Sequence, residues 1–352
     1  MKQQWILNEI TAPLLYWYQG AARDLPWRRD PTPYHVWISE IMLQQTRVEA
    51  VKGYYERFLD AFPTVDALAA ADDDRLNKVW QGLGYYSRAR NLQKAARLIV
   101  ERYQGEMPKT YDELRALPGI GDYTAGAIAS IAYGLRVPAV DGNVLRVLAR
   151  VSGSREDIAL QETKNRFRLS LAPIVPAWAG DFTQAMIELG ATVCVPNGAP
   201  LCESCPLYAD CKARCEGLID ELPVKSAKRA RRTEDRTVLL IRDGGRTALH
   251  KRPPRGLLSG LFELPNVDGF LSEAQVLDFV RKIGFDPLRI QKLEDAKHIF
   301  THIEWHMIAY DVTVTPEFDG LDGVEGIFLV TNDDLHANYA IPSAFSAYTK
   351  YL

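Results

Sequence analysis

All five cysteines of this 352-residue chain fall between Cys194 and Cys215. The first four are spaced Cys194-x7-Cys202-x2-Cys205-x5-Cys211. An odd, clustered set of thiols does not read as a disulfide framework; it reads as a metal site or cluster. Four thiolates at such separations can hold a 4Fe-4S cluster or one zinc ion, and spacing alone does not choose between them. The paired C-x2-C knuckles that make the commoner zinc signature are absent. Cys215 is expected to stay free.

Upstream of the cysteines, apolar residues recur at intervals of three and four from Trp5 onward. The period predicts helices over 36–51, 74–83, 89–103, 123–133, 143–151 and 161–171, separated by short Gly/Pro turns. Leu222 to Arg236 then brings Pro223 and six basic residues (Lys225, Lys228, Arg229, Arg231, Arg232, Arg236), the composition of a solvated tether. Beyond it the pattern alternates. Thr237-Val238-Leu239-Leu240-Ile241, a turn at Asp243-Gly244-Gly245, and Thr247-Ala248-Leu249-His250 make a hairpin signature. Further strands are expected over 303–314 and 326–330, with a helix over 272–283. The expected architecture is a mainly α region at 1–217, a basic linker at 218–235 and a small α+β domain at 236–352.

Hydrophobic residues make up 47% of the chain and charged residues 25%, with a net charge of −3, so no uniformly basic coat exists. Nucleic acid needs only a local basic patch and stays open. No apolar run approaches the roughly 20 residues that span a bilayer. The start, Met1-Lys2-Gln3-Gln4-Trp5, lacks the marks of a secretory signal. A soluble, cytoplasmic protein without membrane attachment is expected.

Chemistry concentrates in three places. In Leu117-Pro118-Gly119-Ile120-Gly121-Asp122-Tyr123, Pro118 and two glycines two apart form a tight turn before a new helix. Gly119 and Gly121 let the backbone approach a partner, and the amides at the helix start suit a phosphate. A small-residue helix (Ala125, Gly126, Ala127, Ala129) follows. Then Val137-Pro138-Ala139-Val140-Asp141-Gly142-Asn143 places Asp141 at a further helix start, where an Asp is ordinarily a cap. Earlier, Glu40 sits among apolar and aromatic residues in Trp37-Ile38-Ser39-Glu40-Ile41-Met42-Leu43-Gln44-Gln45-Thr46, beside Val36 and Leu43 on one helix face. A carboxyl so placed tends toward a raised pKa and can serve as a general acid.

The hairpin followed by Asp141 resembles the helix-hairpin-helix DNA glycosylase superfamily. The Glu40 segment is highly similar to the motif of adenine-specific mismatch DNA glycosylases, the MutY family. This resemblance implies Glu40 as the acid that protonates adenine N7, and Asp141 as the carboxylate that stabilises the oxocarbenium-like sugar, oriented by Asn143. It implies a pocket formed by Trp27, Arg28, Tyr123 and Gln184. Leu43 and Gln45 would fill or probe the emptied base stack. Gln81-Gly82-Leu83-Gly84-Tyr85-Tyr86-Ser87-Arg88 fits the family's second minor-groove segment, with Tyr85 as a contact. Endonuclease III-type relatives carry a Schiff-base lysine where this chain has Tyr123, and a phenol cannot form that imine. The implied enzyme is therefore a monofunctional hydrolase. An endonuclease III-like lyase on oxidised pyrimidines is the alternative enzyme, and a non-catalytic DNA-binding or electron-transfer protein is the alternative class.

Similarity to the same family implies the 4Fe-4S cluster on Cys194, Cys202, Cys205 and Cys211, with the first gap one residue longer than usual. Arg252-Pro253-Pro254-Arg255-Gly256-Leu257-Leu258-Ser259-Gly260-Leu261-Phe262-Glu263 resembles the family's nudix-like domain. The helix at 275–283 lacks the paired glutamates of a pyrophosphatase, so that domain should bind and not catalyse. Phe300-Thr301-His302 stands where the family reads 8-oxoguanine with Phe-Ser-His, and Thr301 keeps a hydroxyl. The expected partner is duplex DNA carrying adenine opposite 8-oxoguanine or guanine, bound by a monomer.

Overall fold

The computed structural model describes residues 9–227, 230–316 and 326–352. The basic residues Lys228 and Arg229 lie outside them, as does the chain start at 1–8. The longer helices, in chain order, are α1 (Thr11–Ala21), α2 (Pro33–Leu43), α3 (Val48–Ala61), α4 (Asp73–Trp80), α5 (Ser87–Tyr103), α6 (Asp122–Ile131), α7 (Gly142–Ser152), α8 (Gln161–Leu171), α9 (Ala179–Thr192), α10 (Glu273–Lys282) and α11 (Asn332–Asn338). Among the described residues no helix is long and apolar enough to cross a membrane.

The chain divides into two compact units. The first comprises residues 1–70 and 90–227, and the second 71–89 and 228–352. In the first unit, α1, α7 and α9 share a core that includes Leu14, Val144, Leu148, Phe182 and Leu189. The helix expected over 36–51 is in fact two. α2 ends at Leu43 and α3 begins at Val48, with Gln45 between them at φ 59. A left-handed residue cannot continue a right-handed helix, so the apolar period survives while the axis breaks. The small residues of α6 serve a close approach. A Cβ on Gly126 would lie 2.4 Å from the Pro138 carbonyl oxygen, so glycine lets the 138–139 segment leading to Asp141 lie against the helix.

The second unit is an eight-stranded sheet ordered β3-β2-β1-β7-β5, with β4 on β1, β6 on β7 and β8 on β2. The ranges are β1 Arg232–Arg242, β2 Arg246–Lys251, β3 Phe262–Glu263, β4 Asn266–Asp268, β5 Pro287–Lys292, β6 Ala296–Ile299, β7 Ile303–Val314 and β8 Ile327–Thr331. β1 and β7 run parallel, from Arg232↔Ile303 to Arg242↔Thr313. Both faces of β1 are buried. Val238 and Leu240 face one core with Trp305 and Met307; Leu239 and Ile241 face the other with Val276 and Val280 of α10. A strand covered on both faces reads as the continuous apolar run seen in the sequence. β1 starts at Arg232, five residues before the alternating run. Pairing with β7 and stacking of the Arg236 guanidinium 4.9 Å from the Trp305 ring centre draw these basic residues into the sheet. Ser272 and Gln275 close a capping box at the start of α10.

Candidate active site

The Thr32 hydroxyl caps α2 by accepting the His35 amide at 3.2 Å, and Pro33 opens the helix. From Val36 to Met42 every side chain is buried, so α2 has no solvent face. Glu40 stands in this helix with 7% of its surface exposed.

Two other elements bring partners to it. Tyr123, in the first turn of α6, donates its hydroxyl to Glu40 Oε2 at 2.6 Å. Asp141 caps α7. Its Oδ1 accepts the Val144 amide at 2.8 Å, and its Oδ2 accepts from Asn143 Nδ2 at 2.7 Å. The cap fixes the carboxylate's orientation, so the ordinary structural role of an Asp before a helix and its presentation to the site are one geometry. Glu40, Tyr123, Asp141 and Asn143 all line one cavity of about 1020 Å³. Trp27, Arg28, Leu43, Gln45 and Gln184 line it too, as does Gly121 of the hairpin. Of the two hairpin glycines, Gly119 is the one that must be glycine. It sits at φ 78, and a Cβ there would meet Asn91 Cβ at 2.8 Å. Gly121 is the extended N-cap of α6.

The carboxyls differ in electrostatics. Burial pushes the Glu40 pKa up to about 7; the Tyr123 bond opposes that and the charge of Asp141 adds to it. Asp141 is also raised by burial, but the Val144 amide and the Asn143 side chain hold its charged form. Glu40 has one neutral donor, whereas Asp141 starts from a lower intrinsic pKa and has more donors. Both carboxyls are raised, and Glu40, with a single neutral donor, is the one poised to carry a proton near neutral pH. Burial and the Glu40 charge raise the Tyr123 phenol well above its ordinary value, so it stays protonated as a donor.

Sequence reasoning missed Glu188, Arg23 and Arg146. Glu188 of α9 has a fully buried side chain and accepts from Arg23 Nε at 2.6 Å, Arg23 Nη2 at 3.0 Å and Arg28 Nη2 at 2.8 Å. Burial alone would raise its pKa, but the Arg23 and Arg28 donors hold it below the usual carboxylate range. It thereby fixes Arg28 at the cavity wall. The one available signal was an acid four residues after Gln184 on an otherwise apolar helix face. Arg146 donates from Nη2 to Asn143 Oδ1 at 2.9 Å and to the Gly190 carbonyl at 2.7 Å, which sets the amide that orients Asp141.

Cys194, Cys202, Cys205 and Cys211 border a second, small cavity, and Cys215 does not. Its other lining is apolar apart from Arg150, Arg214 and Tyr208, with no carboxylate or imidazole. Burial, with the charges of the other three sulfurs, raises the Cys205 thiol to about 11. Arg150 Nη1 lies 3.3 Å from Cys194 Sγ. Among the described residues no group of three or more His, Cys, Asp or Glu side chains converges on one metal-ion position. The sulfurs border a shared space instead.

Tyr85, Phe300, Thr301 and His302 belong to the second unit. Tyr85 is exposed, at φ 47, and its hydroxyl is 3.1 Å from Thr301 Oγ1. Arg88 holds that turn by donating to the Leu83 and Gly84 carbonyls at 3.0 and 3.2 Å. The Phe300 ring packs edge-on against Trp305, centroids 4.9 Å apart, while Thr301 and His302 are exposed.

Both regions of the chain are similar to known proteins. Residues 38–173 match the HhH-GPD superfamily of base excision DNA repair proteins, and residues 237–351 match the NUDIX domain. The adenine DNA glycosylase of Mus musculus is 37% identical over 360 residues, covering 86% of this chain and 70% of its own. That of Homo sapiens is 35% identical, covering 93% and 72%. Among solved structures, a trapped endonuclease III–DNA covalent intermediate superposes with a TM-score of 0.51 at 28% identity, covering 62% of this chain and 99% of its own. With both regions matched and the identity running through nearly the whole length, the chain belongs to the adenine DNA glycosylase family.

Proposed function

We infer that this chain removes adenine from DNA by hydrolysing its N-glycosidic bond, as an enzyme of base excision repair. One observation carries the mechanism: a carboxyl with a pKa near 7 and a mate whose charged form accepts more hydrogen bonds share a cavity. Adenine leaves its stack and enters that cavity beside Trp27, Arg28 and Gln184. Glu40 delivers its proton to N7, which turns the base into a neutral leaving group. The C1′–N9 bond breaks as the sugar gains oxocarbenium character. Asp141, aimed by Asn143, stabilises that charge or bonds to it transiently, and water completes the hydrolysis. Tyr123 keeps the Glu40 carboxyl in one orientation. Its phenol cannot attack the sugar to form an imine, so the product is an intact strand with an abasic site. This disfavours the endonuclease III-like alternative.

The base opposite adenine is 8-oxoguanine or guanine, and the loop at Phe300, Thr301 and His302 reads the 8-oxoguanine. Thr301 Oγ1 supplies the donor and acceptor that Ser would. The four bordering cysteines suit a 4Fe-4S cluster: the donors are all soft thiolates, and Arg150 and Arg214 offset negative charge. Bound, the cluster would shape the loop between Cys194 and Cys211, and no step of the hydrolysis runs through it. One copy of the chain carries both carboxylates and the pocket, so a monomer suffices. Duplexes bearing adenine opposite 8-oxoguanine, adenine opposite thymine, or thymine glycol, treated with alkali after incubation, test the reading. Alkali-labile sites should appear in the first alone. Cleavage of the thymine glycol duplex without alkali would replace it with the lyase.

A further inference from the structure

The active cavity holds two carboxylates, and a nucleotide entering it brings its own negatively charged phosphates. Some cation must offset them. Five basic side chains line the cavity: Arg23, Arg28, Lys164, Arg168 and Lys225. Arg23 and Arg28 are both held on Glu188, whose single carboxylate offsets one of their two charges. Among the described residues, Lys164, Arg168 and Lys225 have no carboxylate within ion-pair distance. The Arg168 Nε is buried without a hydrogen-bond partner. Gln161, Lys164, Asn165 and Arg168 follow one another at i, i+3, i+4 and i+7, so they form one face of α8, and all four line the cavity. Arg166, on the same helix, does not line the cavity and is paired with Glu156 at 2.8 Å.

We propose that this face of α8 is a phosphate-binding subsite, in which Lys164 and Arg168 each contact the backbone of the strand that carries the extruded nucleotide. The hairpin at Gly119–Gly121 supplies amides for one stretch of that backbone. The α8 face supplies side-chain cations for another, and Asn165 and Gln161 add neutral donors. The subsite reads no sequence; it holds register while the base is out of the stack. This inference rests on the cavity receiving a nucleotide, and not on which base is excised.

The test is the salt dependence of binding by the full chain to a 2′-fluorinated, uncleavable adenine duplex. Each lost phosphate contact lowers the slope of log K against log salt by about 0.9. Lys164→Gln and Arg168→Gln should each show that drop, Arg168→Lys should restore the slope, and Arg166→Gln should leave it at the wild-type value. Thermal melting of each variant reports folding separately. Equal slopes for all four variants and wild type would overturn the subsite. So would equal drops in the Arg166 and Lys164 variants, since that pattern reports only a general field. Absence of adenine excision by the wild-type chain, with the slopes behaving as stated, would sink the adenine assignment and leave the subsite standing.

Discussion

The hydroxyl of Tyr123 donates to Glu40 Oε2 across 2.6 Å, from the first turn of one helix to the buried middle of another. That bond favours the ionised carboxylate, against the burial that favours the acid. Single-turnover excision should therefore fall as pH rises through about 7. In Tyr123→Phe the donor is gone, and a bond to a charged group contributes roughly 1.5–3 kcal/mol. The alkaline limb should move up by about one to two pH units. A rate profile flat from about pH 5 to about pH 9 in the wild type would remove Glu40 as the acid.

Glu40 costs the fold something. Its folded pKa of about 7 lies above the ordinary 4.5, so the native state holds the proton more tightly than the unfolded chain. Stability is thus eroded as pH rises from about 4.5 to 7, and at higher pH the loss amounts to roughly 3 kcal/mol. Glu40→Gln, which keeps an acceptor for Tyr123, should abolish excision and raise the melting temperature above neutrality, with little gain near pH 4. Lower stability at both pH values would contradict the burial argument.

Asp141→Asn separates cap from chemistry. Asn caps a helix about as well as Asp, so melting should change little. Excision should drop by at least ~100-fold, because the charge facing the sugar is gone. Loss of stability and activity together would mean that capping is its main work.

Glu188→Gln leaves Arg28 and Arg23 beside a neutral group. Breaking a buried ion pair costs ~3–5 kcal/mol, and Arg23 is one-third exposed, so about 2–3 kcal/mol is expected here. Urea unfolding measures it. A stability unchanged from wild type would show that the Arg23–Glu188–Arg28 pairing contributes nothing net.

Replacing Phe300, Thr301 and His302 by alanine should narrow the preference for adenine opposite 8-oxoguanine over adenine opposite guanine, with less effect on the latter. Tyr85→Phe, which removes the partner of Thr301 Oγ1, should move in the same direction by a smaller amount. Competition between the two duplexes measures both, and equal losses on both substrates would undo the assignment of the loop.

Much of this was legible in the residues. Glu40 announced its burial through the apolar residues at 36–38 and 41–43, and Asp141 through its place before α7. The hairpin followed from a β-branched apolar run and its Gly-Gly turn, and the long strand over 303–314 from alternation. What escaped has a common cause. The break at Gln45 is a single backbone angle inside an intact apolar period. Glu188 and Arg146 act through partners up to 165 positions away in the chain. Local pattern carries helix period and cap chemistry; it does not carry which arginine a lone acid will meet.

The chain passes between its two units three times, at 70/71, 89/90 and 227/228. Lys78 donates to the His336 and Tyr339 carbonyls, and Gln81 to that of Ile341. Severing the polypeptide at the basic tether would therefore part residues 71–89 from the rest of their own unit. The N-terminal fragment would keep that 19-residue excursion, with Lys78 and Gln81 deprived of these carbonyl acceptors.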